Sequence, residues 1–202
     1  MKFAIVAGSH RKNSQSDKVA NYLRARLSAL VSGAEGTVLS LAGNPLPLWD
    51  EEVWAKAPKW QEAWRPYGEA LHAAEAMIFV VPEWGGMVPP AFKNFLLLCS
   101  AETRHKPVLI VSVSSGIGGS YPVSELRMSG YKNTFISYLP EHLIVRNVTQ
   151  VLNEGAPNAA LEEDRLRERI DDTLKLLGVY GEAYRAIRST KAVDLNKYPF
   201  GM

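Results

Sequence analysis

The amino-acid sequence predicts an α/β protein built on a doubly wound parallel sheet. Two observations carry this prediction: five apolar strand patterns alternate with helical patterns, and the third strand pattern, 76–81, is apolar at every position. Continuous apolar runs are typical of parallel strands that helices cover on both faces. A chain of 202 residues is long enough for one such domain with a full core. We expect a single domain over 1–190, followed by a C-terminal tail over 191–202.

The elements are expected in simple alternation along the chain. The strand patterns cover about 2–7, 37–41, 76–81, 107–113 and 142–146. The helical patterns cover about 16–31, 59–75, 89–100 and 121–139, and a last one begins at Asn158. Pro66 is expected to kink or split the second helix, because proline lacks the N–H that a helix interior needs. Ligands of such sheets bind beyond the carboxyl ends of the strands, so the loops 8–16, 82–88 and 114–120 should meet there.

Composition narrows the functional class. Apolar residues make up 47% of the chain and charged residues 22%, which is ordinary for a soluble globular protein. The formal net charge of +2 is too small to indicate a nucleic-acid partner. No segment has the features of a signal peptide or a membrane span, so a cytoplasmic protein is expected. The single cysteine, Cys99, lies in an apolar run and is expected to be a small buried hydrophobe rather than a nucleophile.

The loop after the first strand is the most informative segment. It reads Gly8-Ser9-His10-Arg11-Lys12-Asn13-Ser14-Gln15-Ser16 and leads into a helix. A helix start carries unpaired N–H donors and partial positive charge, which favour a bound phosphate. Arg11 would add a charge-assisted contact. The competing interpretation is an ordinary capped turn with Ser14 or Ser16 as the N-cap residue.

Two further loops carry glycines that allow close approach of the backbone to a ligand. The second loop, Pro82-Glu83-Trp84-Gly85-Gly86, offers free N–H groups and a tryptophan to a planar ring; the alternative is a glycine turn with a packed tryptophan. Glu83 ends a strand, which favours a role in orienting the loop over a role as general base. The third loop, 114–120, offers hydroxyls and glycine amides, and is a candidate for the polar edge of the same ligand.

These motifs resemble the NAD(P)H-dependent FMN reductase family, flavodoxin-like enzymes that include quinone, chromate and azo-dye reductases. Gly8-Ser9-x-Arg11-x-x-Ser14 resembles the phosphate loop of the family, and 82–86 with Lys93-Asn94 resembles its second flavin loop and following helix. The resemblance implies a strand order of 2-1-3-4-5. It also implies that the FMN phosphate is held by Ser9, Arg11, Ser14, Gln15 and Ser16. The isoalloxazine ring would be lined by Pro82, Glu83, Trp84, Gly85 and Gly86, and completed by Ser114 or Ser115 with Gly116.

The resemblance further implies a function. Hydride would pass from NADPH or NADH through FMN to a small acceptor such as a quinone, an azo compound, free flavin or a metal oxyanion. The flavin carries this chemistry, so no catalytic acid or base and no metal site is expected. A homodimer or homotetramer with flavin sites near the interface is implied as well. Trp84 stands where the family usually has Tyr, and Gly85 where it usually has Asn, which bears on substrate preference.

Three other interpretations compete with a reductase. A flavodoxin-type electron carrier would bind FMN without oxidising NAD(P)H, but such carriers are usually strongly acidic and lack the arginine. A protein of the same fold could bind another nucleotide or none. A hydrolase is disfavoured because no Gly-x-Ser-x-Gly motif is present. The tryptophans 49, 54, 60 and 64 form either a patch that a partner subunit covers or packing within the protomer.

Overall fold

The computed structural model describes residues 1–190 and Lys197; the rest of the predicted tail over 191–202 lies outside the described residues. Five parallel strands form one sheet in the order β2-β1-β3-β4-β5, which confirms the predicted doubly wound fold. The strands are β1 (Lys2–Ala7), β2 (Glu35–Ser40), β3 (Ala76–Pro82), β4 (Pro107–Val113) and β5 (Ser137–Val145). The helices of the described region are α1 (Gln15–Leu30), α2 (Pro58–Ala73), α3 (Pro90–Leu98), α4 (Ser120–Met128) and α5 (Glu163–Ser189).

Helices cover the sheet on both faces, as the apolar strands predicted. Successive strand side chains point to opposite faces, so β1, β3 and β4 each feed two cores. One core packs α1 and α5 against residues that include Ile5, Ile78 and Leu109. The other packs α2, α3 and α4 against residues that include Val6, Phe79 and Ile110. Each such buried side chain contributes about 1.5–3 kcal/mol of transfer free energy.

The fourth helix is shorter than its pattern predicted. The sequence predicts a helix over 121–139, whereas α4 ends at Met128. Ser129 is extended, and Gly130 has a φ of +85°, a left-handed conformation that ends helices. The prediction was therefore wrong for 129–139.

The fifth strand begins earlier than predicted, at Ser137 rather than near 142. Pro140 lies in the part of the strand that the pattern missed, and a proline cannot donate to a ladder. The structure places Pro140 opposite the irregularity in the β4–β5 register, between the pairings of Val108 and Ile110. Strand β5 is also an edge strand, where a proline at a bulge is tolerated.

Pro66 does not split the second helix. Helix α2 runs through it from Pro58 to Ala73. Pro66 and Glu62 are both exposed, so the Glu62 carbonyl, which loses its helical donor, lies on the solvent side of the helix.

The last helix begins later than predicted. Asn158 caps a short 3₁₀ turn over 159–161, and α5 itself begins at Glu163.

Three of the four tryptophans of the 49–64 segment pack within the protomer. Trp60 is buried and donates to Asp50 Oδ1 at 2.9 Å, and Trp64 donates to Glu102 Oε1 at 3.0 Å. Trp49 is partly buried, whereas Trp54 is 75% exposed and meets Trp49 edge-on. The arrangement favours packing within the protomer for all but Trp54.

Candidate functional site

The three predicted loops meet at the carboxyl edge of the sheet. The ring centroids of His10 and Trp84 lie 4.5 Å apart, which joins the first loop to the second. Glu83 Oε2 accepts a hydrogen bond from the Gly119 amide at 2.7 Å, which joins the second loop to the third. The carboxylate therefore orients loops, as its position at the end of a strand predicted. The three loops therefore adjoin one another, and we call the surface between them the crevice.

Gly8 brings the first loop close to the neighbouring elements. Its amide donates to the Val80 carbonyl at 2.8 Å, and a Cβ atom on it would lie 2.6 Å from Phe92 Cδ2. Such a distance is shorter than any real Cβ contact, so a side chain at this position requires Phe92 to move. The absence of a side chain fixes where the loop starts.

The serines of the first loop have different roles. Ser14 is the N-cap residue of α1: its Oγ accepts from the Asp17 amide at 3.1 Å and donates to Asp17 Oδ2 at 2.5 Å. Ser9 is buried, and its Oγ accepts from the Arg11 amide at 3.3 Å. The capping interpretation is thus correct for the Ser14 side chain, which satisfies the Asp17 amide. The first turn of an α-helix has further N–H groups without helical partners. The Arg11 side chain is exposed beside them.

Three polar side-chain atoms around this helix start have no hydrogen-bond partner within the described residues. They are Ser16 Oγ, Gln15 Oε1 and His10 Nδ1, and each is itself shielded from solvent. An unsatisfied buried polar atom costs about 1–3 kcal/mol, so such a group of atoms needs a reason. A phosphate supplies one: it accepts from the Ser16 hydroxyl and from the Gln15 amide group once that group is turned. The first loop therefore fits an anionic ligand.

The second loop is a tight two-residue turn. The backbones of Trp84 and Met87 exchange hydrogen bonds of 3.1 and 3.0 Å, and the two glycines between them have φ values of +56° and +74°. Two successive left-handed residues define a type I′ turn, which glycine and asparagine tolerate. Tyr121 packs over Gly86, with 3.7 Å from its Cδ2 to where a Cβ would stand. Pro82 is buried at the end of β3, next to Val113 of β4.

The third loop resolves which serine faces outward. The Ser114 side chain is buried, and its Oγ accepts from the Gly116 amide at 3.3 Å within the loop. Ser115 is exposed, so its hydroxyl is the one of the two that is available to a ligand. Gly119 has a φ of +106°, and a Cβ on it would lie 2.4 Å from Ile144 Cγ2.

Sequence reasoning missed two residues that shape the site. The Gly119 amide holds Glu83, and the Tyr121 ring covers the turn at Gly86. The paired glycines 118–119 were a signal for a close approach, because only glycine fits such a backbone. No comparable signal marked Tyr121, which lies in a weak helical pattern.

The fold and the three loops define a flavodoxin-like class of α/β protein, in which a ligand binds at the topological switch point of the sheet. Residues 1–150 match the family described as NADPH-dependent FMN reductase, and the chain belongs to that family.

Individual relatives agree with this assignment. The chain is 38% identical over 122 residues to a quinone reductase of Pseudomonas putida, an alignment that covers 57% of this chain and 62% of that protein. It is 24% identical over 195 residues to the NADPH azoreductase of Bacillus sp. (strain OY1-2), covering 96% of this chain and all of the relative. The match thus spans less than two thirds of the quinone reductase.

A solved structure supports the fold. The flavoenzyme NAD(P)H:(acceptor) oxidoreductase FerB of Paracoccus denitrificans superposes with a TM-score of 0.73 at 18% identity, over 91% of this chain and 98% of FerB. At that level of identity the likeness concerns the path of the backbone, and the predicted strand order is confirmed by it and by the sheet itself.

Proposed function

We propose that this protein is an NAD(P)H-dependent reductase that holds FMN in the crevice between the three loops. The observation that carries the proposal is the start of α1, where Ser16 Oγ and Gln15 Oε1 are buried without partners beside exposed Arg11. Membership of the NADPH-dependent FMN reductase family supports FMN as cofactor and NADPH or NADH as reductant. A small acceptor such as a quinone or an azo compound is supported by the relatives named quinone reductase and azoreductase.

The residues divide between the two ends of the cofactor. Ser16, Gln15 and Arg11 would hold the phosphate with their side chains. Ser9 and Ser14 would contribute through the backbone of the loop, since their hydroxyls accept hydrogen bonds within the protein. The ring would be lined by Pro82, Glu83, Trp84, Gly85, Gly86, Ser115 and Gly116, with Ser114 shaping the third loop from below.

The chemistry that FMN supplies when bound is transfer of a hydride from NAD(P)H to the acceptor. The role of the protein is to bind the cofactor and to fix its orientation. The backbone amides of the I′ turn and of the third loop present N–H donors, and each well-placed donor to developing negative charge is worth about 3 kcal/mol. No side chain of the crevice needs to exchange a proton for the hydride step.

An FMN-binding electron carrier is the second candidate, and the observations do not favour it. The chain has a formal net charge of +2, whereas such carriers are usually acidic. Arg11 stands in the phosphate loop, and the relatives are named as reductases.

We also propose a homodimer or homotetramer of single-domain protomers (1–190) in the cytoplasm. Apolar side chains are exposed on α3, on α4 and on the second loop, namely Met87, Leu97, Tyr121 and Met128. A groove of about 380 Å³ lies between α3 and α4, beside the candidate site. Burying such a surface against a second copy would remove it from water. Over the described residues, no helix combines the length and the apolar character that a membrane span requires.

An absorbance spectrum of the purified protein tests the proposal directly. Incubation with FMN should yield a yellow protein after desalting, and NADPH added under nitrogen should bleach the flavin band. A protein that stays colourless would contradict the FMN site. A yellow protein that NADPH does not bleach would favour the electron carrier. Light scattering after size exclusion gives the number of protomers, and a monomer at micromolar concentration would contradict the proposed assembly.

A further inference from the structure

A cationic groove runs between the free edge of β5 and the start of α5. It encloses about 440 Å³, and β5 is the last strand of the sheet, so nothing pairs with this edge within the described residues. Three arginines line it: Arg146, which directly follows β5, and Arg165 and Arg169 of α5. The apolar part of the lining includes Leu143, Leu161 and Leu166. None of these residues belongs to the candidate FMN site.

Positive charge dominates the groove. Within the groove, three guanidinium groups share the lining with one carboxylate, that of Glu162. Three further carboxylates, those of Glu141, Glu168 and Asp172, line an adjoining cavity with Arg165 and Arg169. All three arginines are exposed. The bonds they make are weak or use carbonyls: Arg165 lies 3.8 Å from Glu162, and Arg169 Nη2 donates to the His142 carbonyl at 3.4 Å. Since each guanidinium has five N–H donors, most of this capacity is open to an anion.

The pKa of the His142 imidazole, which also lines the groove, is lowered. Burial is the largest cause that lowers its pKa, and the charges of Arg127 and Arg169 lower it further. These surroundings therefore disfavour protonation of the imidazole, and the positive charge of the groove comes from its arginines.

The groove continues directly from the third loop. Arg146 Nε donates to the Gly118 carbonyl at 3.0 Å, and the Asn147 amide donates to the Gly116 carbonyl at 3.0 Å. The groove therefore adjoins the third loop, which the proposed function assigns to the ring end of the cofactor. The groove is thus placed for the distant end of a long substrate, not for the reacting end.

We propose that this groove binds the 2′-phosphate of NADPH, with Arg165 and Arg169 as its ligands and Arg146 at its entrance. The proposal rests on the function proposed above. Arginine matches phosphate geometry with paired hydrogen bonds, and arginine is also the residue that accommodates the 2′-phosphate in other dinucleotide sites. NADH lacks this phosphate, so the groove would favour NADPH. Glu162 works against the phosphate because its carboxylate faces the same groove.

The test measures binding of 2′,5′-ADP, 5′-ADP and inorganic phosphate to the FMN-loaded protein by isothermal titration calorimetry. We expect 2′,5′-ADP to bind the native protein more tightly than either other probe. Loss of charge-assisted hydrogen bonds in the double variant Arg165→Gln/Arg169→Gln should weaken 2′,5′-ADP binding by roughly 10- to 100-fold. Glu162→Gln should tighten it several-fold. Arg185→Gln, which removes an exposed arginine from the same helix outside the groove, should leave it unchanged.

Kinetics provide the second readout. In the double variant the KM for NADPH should rise, while the KM for NADH and kcat stay at native values. Unchanged 2′,5′-ADP binding in the double variant would overturn the proposal. Equal binding of 5′-ADP would overturn the 2′-phosphate assignment, and equal binding of inorganic phosphate would identify a free-phosphate site instead. The same titration is repeated on the protein without FMN, so failure of the protein to take up FMN would defeat the proposed function alone.

Discussion

The starts of helices α1 and α5 both lie at the carboxyl edge of the sheet, yet they satisfy their polar groups in opposite ways. At α5, the buried Glu163 carboxylate accepts from the Leu152 amide at 2.8 Å, from the Asn158 amide at 2.7 Å and from Arg167 at 2.6 Å. At α1, Ser16 Oγ and Gln15 Oε1 are buried without a partner in the described structure. The protein itself completes the first arrangement and leaves the second incomplete.

The difference separates a structural helix start from a binding one. A buried carboxylate that accepts hydrogen bonds from loop amides takes the place of an anionic ligand, and it closes the loop after β5 against α5. The loop after β1 has no such internal anion beyond Asp17, which Ser14 and Ser40 engage. Substitutions at the two starts should therefore change different properties, folding stability at α5 and ligand affinity at α1.

Glu163→Ala should give the largest effect. It removes a buried charge that pairs with Arg167 and leaves two loop amides without an acceptor, so the free energy of unfolding should fall by about 3–5 kcal/mol. Urea denaturation measures this loss. Glu182→Ala, which breaks an exposed pair with Arg185 on the same helix, should change stability by less than about 1 kcal/mol. Similar losses in the two variants would refute the structural role of Glu163.

Arg11→Ala should weaken FMN binding by about 1.5–3 kcal/mol, the range for a hydrogen bond to a charged group. Fluorescence titration of the apoprotein with FMN measures it. Lys12→Ala removes the same charge from the same loop and should cost clearly less, because Lys12 is not among the residues assigned to the phosphate. Equal losses would mean that Arg11 acts only through the overall charge of the loop.

Ser16→Ala should weaken FMN binding by about 1 kcal/mol and leave the stability of the apoprotein unchanged or higher, since the hydroxyl is unsatisfied there. Ser14→Ala is the matched control: it removes the α1 cap and should lower the free energy of unfolding by about 1 kcal/mol. Chemical denaturation without FMN, followed by FMN titration, separates the two. A loss of stability in Ser16→Ala would place its hydroxyl in the fold rather than in the site.

The smallest expected effect is on the pH dependence of folding stability in acid. Burial acts to raise the pKa of Glu163, but the hydrogen bonds from Asn158, Arg167 and Leu152 outweigh it, and the pKa lies below its ordinary value. The folded state therefore binds fewer protons than the unfolded state in this range. The stabilisation is fully present above the ordinary glutamate pKa of about 4.3 and is lost as pH falls through the lowered value. Denaturation of Glu163→Gln should lack this part of the acid dependence; an unchanged dependence would assign it to another group.

Much of the fold could be predicted because several strands consist of continuous runs of apolar residues. β1 and β4 begin and end where the pattern predicted, and β3 is one residue longer. The prediction failed at 129–141, where the effects of Gly130 and Pro140 depend on tertiary context. A proline that breaks a central strand is harmless opposite a bulge at an edge, and no local pattern tells the two cases apart.

The candidate site was predictable to the level of its loops, but not of its atoms. Short motifs placed the three loops, whereas the division of labour between Ser14 and Ser16 depends on which hydroxyl meets Asp17. The groove at β5 was not predictable, since its arginines stand at 146, 165 and 169 and meet only when α5 folds back beside the sheet. The role of Glu163 was likewise not predictable, because the sequence shows it only as one of several acidic residues near the start of a helix.

The turn at Gly85 and Gly86 limits which amino acids these two positions tolerate. Both positions require a left-handed backbone, so asparagine and glycine are interchangeable in shape although not in chemistry. On the proposed function, Gly85 in place of the Asn usual in the family would remove a side-chain contact to the ligand, while the backbone of the turn keeps its shape. Under that proposal, Gly85 is a position where substrate preference can change without a change in the turn.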